Sequence, residues 1–136
     1  MKESREVLTI QVEITGATEV KGKTGEALMI YFGGSVDCEL FKGRILPGGV
    51  DTQKEWYGEA RTLSARYTLE GADCSGKPCH IFIENNGVSE GDKGITKTVP
   101  RIITDSDALA FLETAKLTGT ISPAEKGVTI HIFQEQ

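Results

Sequence analysis

Cysteine is scarce: Cys38, Cys74 and Cys79 are the only three in 136 residues. An odd trio fits reduced thiols better than a disulfide framework. Basic charge is in short supply as well. Fifteen lysines and arginines stand against 20 aspartates and glutamates, giving a formal net charge of −5 and an isoelectric point near 5.1. Lys21, Lys23 and Lys42 are scattered among acids, so no concentrated basic face is expected. Nucleic acid and anionic membrane both require such a face, and neither is expected as a partner. Long apolar runs are missing. The longest, residues 27–32, falls far short of the roughly 20 residues that span a bilayer. The opening Met1-Lys2-Glu3-Ser4-Arg5-Glu6 is too charged for a secretory signal, which sets a cytoplasmic expectation. Familiar catalytic signatures are absent too: no Gly-x-Ser-x-Gly elbow, phosphate-cradling loop or His-Glu-x-x-His motif occurs. Ser35 follows Gly33-Gly34 with no histidine or acid in a recognisable relation to it, so a serine hydrolase is not expected. No cofactor is expected either.

What the chain does have is period-two alternation. Leu8, Ile10, Val12 and Ile14 alternate with Thr9, Gln11 and Glu13, the pattern of a half-buried strand. Leu63, Ala65, Tyr67 and Leu69 alternate in the same way with Thr62, Ser64, Arg66 and Thr68. Further strands are read over residues 40–46, 80–84, 116–121 and 128–133. Residues 27–32 are apolar on both faces, so one face must line a pocket or pack on a helix or another subunit. Gly33-Gly34 then permits a bulge, a sharp bend or close backbone approach to a ligand. Leu46-Pro47-Gly48-Gly49 reads as a turn, with positive φ supplied by glycine at its third position. Asn85-Asn86-Gly87 and Ser122-Pro123 also read as turns, and residues 88–97 as a mobile surface loop. One short helix is predicted over residues 107–115, capped by Asp105 or Ser106. These elements describe one all-β domain spanning residues 1–136. An antiparallel barrel is favoured, because closure removes edge strands and a lone helix can plug one end.

Several segments together are familiar. Phe32-Gly33-Gly34, the run from Lys42 through Leu46-Pro47-Gly48-Gly49-Val50-Asp51-Thr52-Gln53, and Ala65-Arg66-Tyr67-Thr68-Leu69 occur in order. Ile83-Glu84-Asn85-Asn86-Gly87 and Leu117-Thr118-Gly119 follow. The chain resembles the family called domain of unknown function 3237, or uncharacterised protein family 0311, from about Val7 to Phe133. That resemblance implies a calycin-like (lipocalin-like) β-barrel and no assigned activity. It also exposes departures: Thr52 where many relatives carry Trp, Ser64 where many carry Asp, and Asn86 where Arg is common. The loop between Gly87 and Pro100 also looks shorter than in relatives. If those positions shape a pocket, the ligand here differs from that of relatives.

The expected chemistry centres on Asp51 and Gln53 beside the Pro-Gly-Gly turn, with Tyr67 and Asn85 on later strands. A carboxylate turned into a barrel mouth beside apolar walls has a raised pKa and suits proton transfer. Tyr67 could hydrogen-bond a developing oxyanion. The blander alternative makes Asp51 a turn cap and Tyr67 a core aromatic. Gly33, Gly34 and Gly49 would let a ligand approach the backbone, and Arg44 and Arg66 would fork onto a ligand carboxylate unless they simply face solvent. Cys74, Cys79 and His80 cluster around a hairpin, but only His131 remains to complete a zinc set, so reduced structural thiols are the reading. Three functions stay open: a small-molecule-binding barrel, a cofactor-independent isomerase or lyase using Asp51 and Tyr67, and a structural homo-oligomer.

Overall fold

The computed structural model describes residues 3–135. Alternation becomes nine antiparallel strands: β1 (Ser4–Lys21), β2 (Gly25–Asp37), β3 (Phe41–Ile45), β4 (Gly49–Trp56) and β5 (Thr62–Asp73), then β6 (Pro78–Val88), β7 (Lys97–Thr104), β8 (Leu117–Ala124) and β9 (Gly127–Glu135). β2 pairs with β4 over its residues 25–32 and with β3 over 35–37. β5 pairs with β4 over its residues 62–66 and with β3 over 69–73. β3 and β4 therefore share one place in the sheet, interrupted by the Pro47-Gly48 turn, where Gly48 has the expected positive φ of 107°. From there the pairing runs β5–β6–β7–β8–β9–β1–β2, so the sheet returns on itself. The ring is uneven. Between β7 and β8 only two residue pairs join, Lys97–Thr120 and Thr98–Gly119.

One face of the curled sheet is dry. Leu8 and Ile10 on β1, Leu69 on β5, Ile81 and Ile83 on β6 and Ile132 on β9 are completely buried, as alternation predicts. Burying each such side chain contributes about 1.5–3 kcal/mol. The opposite face carries the charged partners, including Arg44–Glu70 at 3.2 Å and Arg66–Glu84 at 3.0 Å.

The predicted helix is corrected. Between β7 and β8 the chain forms only a 3-10 turn, Ala110–Glu113. Twelve residues separate Thr104 from Leu117, too few for a favourable α-helix plus two connections. Three residues per turn also suits the pattern, since it stacks Leu109 over Leu112, and both are buried at one end of the barrel. The expected cap is not formed, since the 3-10 turn begins after Leu109 with no side-chain cap; the Ser106 hydroxyl instead holds the preceding turn, accepting the Leu109 N–H at 3.1 Å and donating to Asp73 Oδ2 at 2.7 Å. Asp73 also accepts from Ser75 N–H, Ser75 Oγ and Lys77 N–H, tying the β5–β6 hairpin to this plug. The Ser75 and Ser106 hydroxyls above all hold its carboxyl down to about 2.

Two expected turns lie inside strands. Asn85-Asn86-Gly87 belongs to β6, where Asn85 pairs with Ala65 on one side and Pro100 on the other. Ser122-Pro123 belongs to β8, which turns later, at Glu125-Lys126. β4 and β7 went unread because inward polar residues and Pro100 break their alternation. No helix among the described residues is long and apolar enough to cross a membrane.

Candidate functional site

The end of the barrel opposite the plug is not filled. A cavity of about 360 Å³ opens there, bounded by apolar walls that include Val12, Ile30, Phe32, Leu63, Ile121 and Ile130. Pockets that hold small molecules commonly measure roughly 300–1,000 Å³. The doubly apolar stretch at residues 27–32 is thereby explained in part. Ile30 and Phe32 face this cavity, while Met29 and Tyr31 sit half-exposed on the outer wall.

Polar residues border the same space as well, among them Asp51, Gln53, Arg61 and Asn85. β4 sends Asp51 and Gln53 inward by its two-residue period, not by a turn as the sequence suggested. They form a relay. Arg61 Nε donates to Gln53 Oε1 at 3.0 Å, and Gln53 Nε2 donates to Asp51 Oδ2 at 3.1 Å. Arg61 also lies 3.7 Å from Glu55. The other carboxylate oxygen, Asp51 Oδ1, is buried without a partner among the described residues, and so is Asn85 Oδ1. Burial pushes the Asp51 carboxyl above its ordinary range, against the opposing pull of Gln53 and then of the Arg61 charge.

Register explains why these groups meet. Ile30, Asp51, Ala65, Asn85 and Pro100 occupy one row across β2, β4, β5, β6 and β7. Ala65, between Asp51 and Asn85, is the smallest side chain in that row and leaves the space between them open. The loop after β6 contributes Ser89, Gly94 and Ile95 to the cavity border, so residues 88–97 form part of the site's rim.

The other expected site residues fall elsewhere. Tyr67 is buried on β5, one inward position deeper than Ala65, and does not border the cavity. Its ring meets Phe32 edge-on at 5.2 Å; its hydroxyl has no partner, and burial raises its pKa. Gly33 and Gly34 lie outside the cavity border, and Gly49 makes room for the Phe32 ring, which a Cβ there would approach to 3.2 Å. Arg44 and Arg66 are on the outer wall, paired with Glu70 and Glu84. Cys79 is buried and Cys74 exposed, while His80 faces outward between Asp105 and Glu70, each 3.2 Å away. The three do not share a site. Arg61 was missed altogether, because an arginine in a connection carries no pattern. A second unforeseen grouping lies on the outer wall: Ser122 Oγ is 3.3 Å from His131 Nε2, and His131 Nδ1 is 3.0 Å from Glu6. None of these three residues borders the interior cavity.

The family model described as a protein of unknown function, DUF3237, matches residues 3–118. The chain belongs to this family. A relative from Clostridium acetobutylicum, named as a member of uncharacterised protein family 0311, is 32% identical over 130 residues, covering 93% of this chain and 78% of the relative. Among solved structures, a β-barrel-like protein from Acinetobacter baumannii superposes with a TM-score of 0.79 at 17% identity, covering 100% of this chain and 97% of that one. A protein described as an enzyme from Penicillium herquei superposes with a TM-score of 0.74 at 14% identity, covering 99% and 95%. Both show the fold alone.

The expected departures at Thr52, Ser64 and Asn86 lie away from the cavity. Thr52 pairs with Ser64, and Ser64 with Asn86, so all three stand in one row on the outer face of β4, β5 and β6. They do not border the interior cavity.

The raised Asp51 carboxyl has a consequence for stability. A folded-state pKa above the unfolded value stabilises the fold below the unfolded pKa, and that contribution is lost as pH rises through the folded pKa. Asp51→Asn escapes this loss. The variant is expected to be the more stable protein at neutral pH by about 1 kcal/mol, with the gap narrowing below about pH 4. Urea denaturation across pH measures it. A variant less stable than its parent at neutral pH would make Asp51 a structural group.

Proposed function

We propose that this barrel binds a small, mostly apolar molecule in its interior. One observation carries the reading: an apolar-walled cavity into whose border Asp51, Gln53, Arg61 and Asn85 converge from separate segments. Protein interiors otherwise pack as densely as organic crystals, and an unfilled space of this size forfeits contacts on every wall.

Fluorescence titration with N-phenyl-1-naphthylamine tests this. A saturable rise at one probe per chain is expected for the parent. Ala65→Phe fills the row between Asp51 and Asn85 and is expected to weaken binding by about 100-fold. Unchanged affinity in a folded Ala65→Phe variant would place the probe elsewhere and overturn the reading.

A second reading is favoured by the Asp51 carboxyl, whose raised pKa suits a general acid or base. The barrel would then be an isomerase or lyase that moves a proton without a cofactor. The Penicillium herquei protein of like fold, described as an enzyme, supports the capacity of such a barrel for catalysis. Tyr67 enters that reading only if ligand binding draws its hydroxyl toward the cavity.

A further inference from the structure

We propose that the free edge of β1 pairs antiparallel with the same edge of a second copy of this chain, about a two-fold axis at Val20. The pairing is independent of the cavity, whose border includes no residue from 18 to 22.

β1 outruns its neighbour in the barrel. It pairs with β9 only as far as Glu13, and Ile14 N–H then donates to Lys126 O at 3.0 Å. From Gly16 to Lys21 it is flanked by β2 on one side and, among the described residues, by no strand on the other. Residues 13–21 are exposed throughout. Such an edge presents unpaired N–H and C=O groups and is a template for another strand. Its defences are thin. The bulge between Ile14 and Gly16 precedes the stretch, and no proline interrupts it. β7 also loses its neighbour beyond Thr98, but there the plug backs it.

Backbone phase and side-chain order together name the partner. Gly22 N–H donates to Gly25 O at 2.8 Å, so Gly22, Val20 and Thr18 turn their backbone groups toward β2. In an antiparallel ladder the residues between them face the other way, which leaves Glu19 and Lys21 to donate and accept at the free edge. Glu19-Val20-Lys21 is its own complement when reversed. An axis at Val20 sets Glu19 of each copy opposite Lys21 of the other, on the face where the two already lie 4.0 Å apart within one chain. Each such pair exchanges two backbone hydrogen bonds as well as matching charge. On the opposite face the two Val20 side chains, each 63% exposed in the single chain, cover one another. Moving the axis one residue either way sets Glu19 against Glu19 or Lys21 against Lys21, which is destabilising. A foreign strand would need this order by chance; a second copy always has it.

Residues 18–22 alone bury less than the roughly 1,200 Å² of a stable complex, so the dimer is expected to dissociate at about 10–100 µM. Sedimentation velocity from about 5 to about 500 µM measures it. Lys21→Glu sets acid against acid, and Glu19→Lys sets base against base. Each variant, checked for folding by circular dichroism, is expected to associate at least about 10-fold more weakly than the parent. An equimolar mixture of the two variants restores unlike charges at both pairs and is expected to associate at least as tightly as the parent. Overall attraction does not explain such a recovery, because each substitution moves the net charge of −5 by only about two units and leaves both variants negative. A parent that stays monomeric throughout would overturn the pairing of copies and leave the edge to a foreign strand. Association unchanged in either variant, or a mixture that stays monomeric, would overturn the pairing at this edge.

Discussion

Gly34→Ala is expected to lower the melting temperature by about 10 °C or more, while Gly33→Ala leaves it nearly unchanged. The two glycines are adjacent in sequence and opposite in circumstance. A Cβ at Gly34 would stand 1.9 Å from the Gln11 carbonyl oxygen on β1, and the residue has a φ of 146° that disfavours any side chain. A Cβ at Gly33 would meet nothing within 4 Å. Accommodating a methyl at Gly34 means parting β1 from β2, where Gly34 pairs with Val12. Strain and lost pairing together cost about 3 kcal/mol or more, at about 3–5 °C per kcal/mol for a chain of this length. Thermal melts followed by circular dichroism give the comparison. Equal melting of the two variants would contradict the close approach of β1 and β2.

The second large effect is Leu109→Ala. Leu109 is fully buried in the plug, so truncation leaves a hole and costs about 2–5 kcal/mol. The melting temperature should fall by about 6–25 °C. Binding of N-phenyl-1-naphthylamine should nonetheless stay within about twofold of the parent below the melting transition. The reason lies on β5, whose Leu63 and Ala65 border the cavity while Asp73, ten residues from Leu63, holds the plug through Ser106. A large loss of affinity in folded Leu109→Ala would mean that plug and cavity are coupled.

The sequence made most of the barrel legible, for a physical reason. Strands whose inward positions are all apolar announce themselves, as Leu8, Ile10 and Val12 do on β1. β4 was hidden because its inward positions include Asp51 and Gln53, the same substitution of polar for apolar that makes it interesting. β7 was hidden by Pro100, tolerated where β8 has already parted from β7 beyond the Thr98–Gly119 pair. The helix was overcalled because Ala and Leu content speaks for helix while the short span between β7 and β8, invisible without the strand ends, speaks against it.

The site was legible in part. Asp51, Gln53 and Asn85 do border one space, as their positions near glycine-rich segments suggested. Arg66 was open to a ligand or to solvent; alternation put it opposite Ala65 and Tyr67, and its ion pair with Glu84 is the ordinary fate of an outward arginine. Such exposed pairs add at most about 1 kcal/mol and say nothing of a ligand. Gly34 was read as permitting a bulge, a sharp bend or the approach of a ligand; what approaches is the neighbouring strand.

The most direct measurement is a crystal of the protein soaked with 6-bromo-2-naphthol, located by the anomalous signal of bromine. Bromine is expected inside the ring of strands, against the apolar walls that include Leu63 and Ile121. A bromine peak confined to the outer wall, in a molecule that binds the compound in solution, would contradict an interior binding site.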